Sequence, residues 1–338
     1  MTDLSKPTLN DVARAAGVST ATVSRCLNTP ERVIERTREK VMQAVDELGY
    51  TPNFGGRALA SRRTNTVGAI IPTMENAIFA RGLQAFQETL SQSGVTMLVA
   101  STSYDFEREA EQIRTLVGRG ADGLLLIGSA RPPETYEFLR RRAIPYVIAW
   151  NLGDGDDHFI GFDNKQAAAE LTRHVIALGH RKIAMIAGLT KMNDRAADRV
   201  AGVQAALREA GFDTDAFPIV ETAYSLENGS RALAQLMQRT PRPTAIICGN
   251  DVLAIGAIAG AKSLRIRVPE DVSITGFDDI DISSYIDPAL TTIHVPHRRM
   301  GTAAAHQLLR LIAGEPADAV IKINTEIVER ASLAPPAS

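Results

Sequence analysis

Two groups of polar side chains in this 338-residue sequence have the types and spacing to bind something. The first lies near the amino terminus, in Val18-Ser19-Thr20-Ala21-Thr22-Val23-Ser24-Arg25-Cys26-Leu27. Val18, Val23 and Leu27 share one apolar face, which leaves Thr20, Ala21, Ser24 and Arg25 outside it. Serine and threonine hydroxyls suit phosphate oxygens, and an arginine fork can bridge O6 and N7 of guanine. That is the chemistry of a helix that reads a DNA major groove; a small three-helix domain that binds protein is the plainer reading. The second group follows apolar runs: Trp150-Asn151 after IPYVIA, Asp163-Asn164 after HFIGF, Asn250-Asp251 after TAIICG, and Asp278 after VSITGF. Carboxylate and amide acceptors suit a hydroxyl-rich ligand, and an indole face can stack on its apolar side. Here too plainer readings exist: Asp251 and Asn164 as helix caps, Trp150 as core, Arg199 as a structural ion-pair partner.

No comparable group has the pattern of a catalytic or metal centre. GxxxxGK[ST], HExxH, CxxC and GxSxG are all absent from the sequence. Cys26 lies inside the first polar helix and Cys248 inside an apolar strand, where both read as small hydrophobes. The six histidines show no compact ligand spacing, and Pro296 interrupts His294 and His297. The expectation is a binding protein with no cofactor and no metal.

The elements that must position these groups can be read from periodicity. Thr8 caps a helix running through Ala15, with Asp11 as the capping-box acid and Leu9, Val12, Ala13 and Ala16 as its apolar face. Gly17 ends it, and Ser19 caps a second helix from Thr20 to Leu27. A third helix is expected from Arg36 to Leu48, with Val41, Met42, Val45 and Leu48 inward, stopping at Gly49. Two short helices joined by a glycine turn make a helix-turn-helix. The segment NFGGRALASRRTN is too polar for a core and reads as a linker able to become helical on binding. From Thr66 onward, apolar strands alternate with amphipathic helices in two successive series, the pattern of parallel sheets covered on both faces. Ligands of such folds sit beyond the carboxyl ends of the strands, where the second polar group lies.

Composition supports this division. The chain is 45% hydrophobic and 22% charged, with net charge −2, so it is no uniformly basic packager of nucleic acid. Residues 1–65 hold ten Lys/Arg and seven Asp/Glu, whereas the remainder holds 27 basic and 32 acidic residues. A basic head on an acidic body confines any polyanion to the head. Two cysteines fit a reducing cytoplasm. No apolar run reaches the length of a membrane span, and MTDLSKPTLNDVARAAG has no secretory pattern.

The segment TLNDVARAAGVSTATVSRCLNTPERVIERTREKVMQAVDELGYTPN closely resembles the DNA-binding domain of the lactose/galactose repressor (LacI/GalR) family of bacterial transcription regulators. The resemblance rests on DVA-x-x-AGVS-x-x-TVSR-x-LN and ELGY-x-PN, and continues through TAIICGNDVLAIGA, RVPEDVSITGFDD and PALTTIHVP. It implies an all-α helix-turn-helix head (1–52), a hinge helix or linker (53–65) and an α/β periplasmic-binding-protein-like body of two doubly wound parallel-sheet lobes. The lobes would comprise 66–163 with 294–322, and 164–293 with 323–333, followed by a tail at 334–338. It further implies a homodimer on a pseudo-palindromic double-stranded operator. Thr20, Ala21 and Arg25 match base-reading positions; Ser19, Thr22, Ser24, Asn28 and Thr37 match phosphate contacts. Asn53, Arg57 and Leu59 match the hinge, whose leucine wedges into the minor groove. Ala21 departs from members with a long polar side chain there. Gly55 and Gly56 depart from a bulkier pair, each disfavouring helix by about 0.8–1 kcal/mol relative to alanine.

In the body the resemblance implies a small sugar or sugar-acid effector between the lobes. Asn76 and Phe79 match the first-lobe effector segment. Arg195, four residues before Arg199, looks like the gluconate-repressor branch, and a guanidinium pairs bidentately with a carboxylate. An arginine in a surface loop is the plainer alternative. The expected effector set is Asn76, Phe79, Trp150, Asn151, Asp163, Asn164, Arg195, Arg199, Asn250, Asp251 and Asp278. The resulting expectation is a cytoplasmic regulator, nucleoid-associated when on its operator, with no membrane partner. A sugar sensor without DNA binding, or a sugar-processing enzyme, is the weaker alternative. The first leaves the helix-turn-helix without a use, and the second lacks a catalytic group. No leucine heptad follows Ser332, so a dimer is expected rather than a tethered tetramer.

Overall fold

The computed structural model describes residues 6–51, 63–75 and 77–337, which fall into two compact units, one up to Thr64 and one from Asn65. The first unit holds α1 (Leu9–Ala16), α2 (Thr20–Asn28), a 3-10 turn (Pro30–Arg32) and α3 (Glu35–Leu48). Thr8 and Asp11 close a reciprocal capping box on α1, and Ser19 caps α2 by accepting from the Thr22 N–H. Gly17 (φ 66°) and Gly49 (φ 60°) supply the left-handed turns that end α1 and α3. Val12, Ala13, Val23, Cys26, Val41, Ala44, Val45 and Tyr50 form the core. The expected face of α3 needs correcting. Val41, Ala44 and Val45 take the i, i+3 and i+4 positions, leaving Met42 one residue off the face and 40% exposed. Leu48 is also exposed, because the turn at Gly49 brings Tyr50 back onto the core, its N–H bonded to Val45 O at 2.9 Å.

The second unit contains two parallel sheets. The first, in the order β2-β1-β3-β4-β5-β11, comprises β1 (Thr66–Ile71), β2 (Thr96–Ser101), β3 (Gly123–Ile127), β4 (Tyr146–Ala149), β5 (Phe159–Gly161) and β11 (Val320–Lys322). The helices in its chain segments are α4 (Ala77–Gln92), α5 (Phe106–Gly118), α6 (Pro133–Arg141) and α11 (His297–Ala313). The second sheet runs β7-β6-β8-β9, from β6 (Ile183–Gly188), β7 (Ile219–Thr222), β8 (Ala245–Cys248) and β9 (Ser273–Thr275). Its helices are α7 (Asn164–Ala177), α8 (Asp194–Glu209), α9 (Leu226–Met237) and α10 (Asp251–Ser263). A two-stranded antiparallel ribbon, β10 (Thr292–His294) with β12 (Glu326–Val328), completes the body.

Every residue of β1, β3, β4, β6 and β8 is buried, as doubly covered parallel strands require. In both sheets the first strand lies between the second and third, so the crossovers diverge at β1/β3 and at β6/β8. Such switch points open crevices at the carboxyl ends of the strands. The late helix α11 returns to the first lobe and packs on α4 through glycines: a Cβ on Gly301 would sit 2.0 Å from the Gly82 carbonyl oxygen.

Candidate functional site

In the first unit, Ser19, Thr20, Ala21, Arg25 and Asn28 are exposed, while Thr22, Ser24 and Thr37 are half-buried. Ser19 Oγ lies 2.9 Å from Thr22 Oγ1, and Asn28 Nδ2 donates to Ser24 Oγ at 3.2 Å. Nearby, Arg14 is paired with Asp11 and Arg38 with Glu35. Among the described residues no carboxylate pairs with Arg25, so its guanidinium stands open to an outside acceptor. Asn53, Arg57 and Leu59, with Gly55 and Gly56, lie outside the described residues.

In the second unit the polar groups converge past the strand ends. Arg199, on α8 and 5% exposed, donates from Nε to Asn164 Oδ1 (2.9 Å), from Nη1 to the Gly249 carbonyl (2.6 Å) and from Nη2 to Asp278 Oδ1 (3.3 Å). It also lies 3.8 Å over the ring of Phe277. Asn164 Nδ2 in turn donates to the Trp150 carbonyl at 3.0 Å. Burial pushes the Asp278 carboxyl up to about 6 against the opposing pull of Arg199. Asp278 holds φ 109°, rare for a residue with a side chain.

Arg195, four residues earlier and one helical turn away, pairs through Nη1 with Asp194 Oδ1 at 2.7 Å. Burial would raise the Asp194 carboxyl, but Arg195 and the donors of Ser129 and Asn151 outweigh it and hold it down to about 2. Trp150 is fully buried yet lines the cleft: its Nε1 donates to His297 Nδ1 at 3.2 Å, and Phe79 meets its ring edge-on at 5.5 Å. Burial, with a smaller contribution from Arg199, pushes His297 down to about 3, so it is a neutral acceptor.

Phe79, Trp150, Arg195 and Arg199 line a cavity of about 20 Å³ together with Tyr104 and Tyr224. Those two tyrosines, 6.3 Å apart, also line a larger cavity of about 720 Å³ that opens past β1, β2, β6 and β7. Burial raises both phenols, so they act as neutral hydroxyls.

Three expected cleft residues point elsewhere. Asp163 caps α7 by accepting from Gln166 N, and Asn250 caps α10 by accepting from Leu253 N. Asp251 accepts from Ile280 N (2.8 Å), Ser283 Oγ (2.7 Å) and Thr292 Oγ1 (2.5 Å), tying down the loop after β9. Burial pushes its carboxyl up to about 7. The reason is local: the residue just before a helix is where capping claims a short polar side chain. Capping therefore falls one position before Asn164 and Asp251, the residues for which it is the plainer sequence reading. Asn151 turns its amide onto Asp194, and Asn76 lies outside the described residues. Sequence reading missed Tyr104, Asn193, Tyr224, Ser129, Asp194 and His297 as partners in the cleft. Tyr104 and Tyr224 follow β2 and β7 by a few residues, so the strand-end rule already applied to Trp150 would have found them.

The two units together define a class: a helix-turn-helix joined to a periplasmic-binding-type body. Residues 8–53 match the model for bacterial regulatory proteins of the lacI family, and residues 172–333 match that for a periplasmic binding protein-like domain. The chain is 35% identical over 331 residues to the HTH-type transcriptional repressor PurR of Vibrio atlanticus (strain LGP32), covering 96% of this chain and 98% of that one. Transcription regulator GntR from Chromobacterium violaceum superposes with TM-score 0.76 at 31% identity, over 79% of this chain and 99% of that structure. A lac repressor dimer bound to operator and the anti-inducer ONPF gives TM-score 0.85 at 27% identity, over 98% and 100%. The chain belongs to the lacI family of bacterial regulatory proteins and is a DNA-binding transcriptional regulator. Among the described residues, no helix is long and apolar enough to cross a membrane.

Proposed function

We propose that this regulator is a homodimeric repressor of a pseudo-palindromic operator, acting in the cytoplasm and controlled by a sugar acid of the gluconate type bound between its lobes. The observation that carries the effector class is the pair Arg195 and Arg199, both more than nine-tenths buried, on one cavity with Trp150 and two neutral phenols. Arg199 is committed to Asn164, Gly249 and Asp278 and serves as a fixed donor platform. Arg195 uses only Nη1 on Asp194 among the described residues, which leaves the rest of its fork for a carboxylate. Trp150 and Phe79 supply the apolar wall for a sugar carbon face. We read the cleft as binding its ligand without turnover, with His297 Nδ1 accepting from the Trp150 indole.

On the DNA side we assign base reading to Thr20, Ala21 and Arg25, and phosphate contacts to Ser19, Thr22, Ser24, Asn28 and Thr37. Asn53, Arg57 and Leu59 are assigned to a DNA-folded hinge over 53–65. The lobes are taken as 66–163 with 294–322 and 164–293 with 323–333. The chain crosses between them near 162–164, 292–295 and 322–325. Effector binding would shift the lobes and hence the spacing of the two heads, a coupling typically of about 1–3 kcal/mol.

Calorimetry with gluconate and glucose, beside a gel shift on the DNA upstream of the gene, tests this. Gluconate is expected to bind more tightly than glucose and to change operator affinity; equal or absent binding of both removes the acid effector.

A further inference from the structure

Asp194 opens α8 in the second lobe, yet most of its hydrogen bonds come from the first. Its Oδ1 accepts from its neighbour Arg195, through N at 2.9 Å and Nη1 at 2.7 Å. Its Oδ2 crosses the cleft and accepts from Ser129 N (2.5 Å), Ser129 Oγ (2.9 Å) and Asn151 Nδ2 (2.9 Å). These donors lie just past the ends of β3 and β4. Five donors thus converge on one carboxylate that is 14% exposed.

The receiving loop is rigid and shaped for this contact. Arg131, its side chain 2% exposed, pairs with Glu109 at 3.0 Å and donates to the Gly128 carbonyl at 2.7 Å. Arg131 also donates to Tyr136 Oη at 2.8 Å, and that hydroxyl donates to the Ser129 carbonyl at 3.0 Å. Gly128 sits at φ 71°, and a Cβ there would fall 1.8 Å from Arg195 Nη1 and 2.5 Å from Asp194 Oδ1. Only a glycine lets this loop approach so closely. An ion pair across the cleft, Arg81 with Asp281 at 3.0 Å, is 44% and 76% exposed, where pairing contributes little.

We infer that Asp194 is a positioning residue that latches the two lobes together. A ligand enters the arginine-lined cavity when the contacts from Asp194 to Ser129 and Asn151 part. The latch rests on the reading of this cleft as the effector site, but its contacts run between protein groups alone. An asparagine cannot replace it: with one oxygen, it either turns its NH2 onto Ser129 and Asn151, which are donors, or onto the donors of Arg195. Loosening the latch raises the fraction of open protein and, with it, the rate and apparent affinity of ligand entry.

The test uses the full chain labelled at Glu111→Cys on α5 and Gln235→Cys on α9, both exposed, while native Cys26 and Cys248 are buried and do not compete for label. Dilution into unlabelled chain isolates distances within one protomer. Spin-label distances are read without ligand in the parent protein, Asp194→Asn and Ser129→Ala. The expected result is a longer, broader distribution in Asp194→Asn and a smaller shift in Ser129→Ala, which leaves Arg195 untouched. Gluconate association should quicken in the same order, by about tenfold for Asp194→Asn. An unchanged distribution in the folded Ser129→Ala and Asp194→Asn proteins overturns the latch. If the parent protein binds no gluconate while the distances still respond, the sugar-acid reading fails and the latch stands.

Discussion

The reading helix and the cleft solve the same problem, holding polar groups ready for a ligand, in opposite ways. On α2 the side chains assigned to DNA are exposed or half-buried, and each depends on little beyond its own helix and caps. In the cleft, Arg195, Arg199 and Asp278 are buried and Asp194 is half-buried; Arg199, Asp278 and Asp194 are held by residues from distant parts of the chain, and Arg195 by its neighbour Asp194. Water lets an exposed group wait unpaired, whereas a buried charge must find partners within the protein. Substitutions should therefore act on function alone in the head, and on function and stability together in the cleft.

The largest effect is expected in the cleft. Arg199→Met strands Asp278 and the Gly249 carbonyl without their donor, a loss of about 3–5 kcal/mol for a broken buried pair. Urea unfolding of the body should report it, and a loss below 1 kcal/mol would break the contrast between the two regions. The head should behave differently. Arg25→Ala is expected to weaken operator binding by about 1–3 kcal/mol, the worth of a bidentate base contact. Anisotropy titration of labelled operator measures this, while the melting temperature and effector affinity stay unchanged. Thr8→Ala removes one half of the α1 capping box and should cost the head about 1 kcal/mol, seen by thermal melting.

Legibility followed the same divide. The capping box at Thr8, the turn at Gly17 and the outward set of α2 are fixed by neighbours within a few residues, so they could be read directly. The sheets were equally plain, because buried parallel strands are continuous apolar runs. Which polar residues would turn into the cleft was only half visible. Trp150, Arg195 and Arg199 face it, whereas Asp163 and Asn250 serve as caps and Asp251 ties a loop. Strand-end position was evident in every case. Capping by Asp163 and Asn250 is settled within three residues, whereas the turning of Asp251 away from the cleft depended on Ser283 and Thr292, more than thirty residues away along the chain.

The smallest expected effect is on pH. Asp251 titrates near 3.8 when unfolded and near 7 when folded, so its proton stabilises the body fully below 3.8, and that stability is lost as pH rises through 7. His297 runs the other way, from 6.5 unfolded down to about 3, and costs stability as pH falls below 6.5. The two oppose each other below 6.5, and above it only the Asp251 contribution remains. Melting temperature should therefore decline from about pH 6.5 to 8 in the parent protein and stay flatter in Asp251→Asn. Equal slopes would mean that burial does not hold that proton.

The most direct measurement titrates operator DNA with the full chain and with a form beginning at residue 65, under one salt concentration. The full chain should bind tightly and the shortened one should lose operator binding, while calorimetry shows the same ligand affinity for both. Equal operator affinity of the two proteins would contradict the assignment of DNA reading to α2.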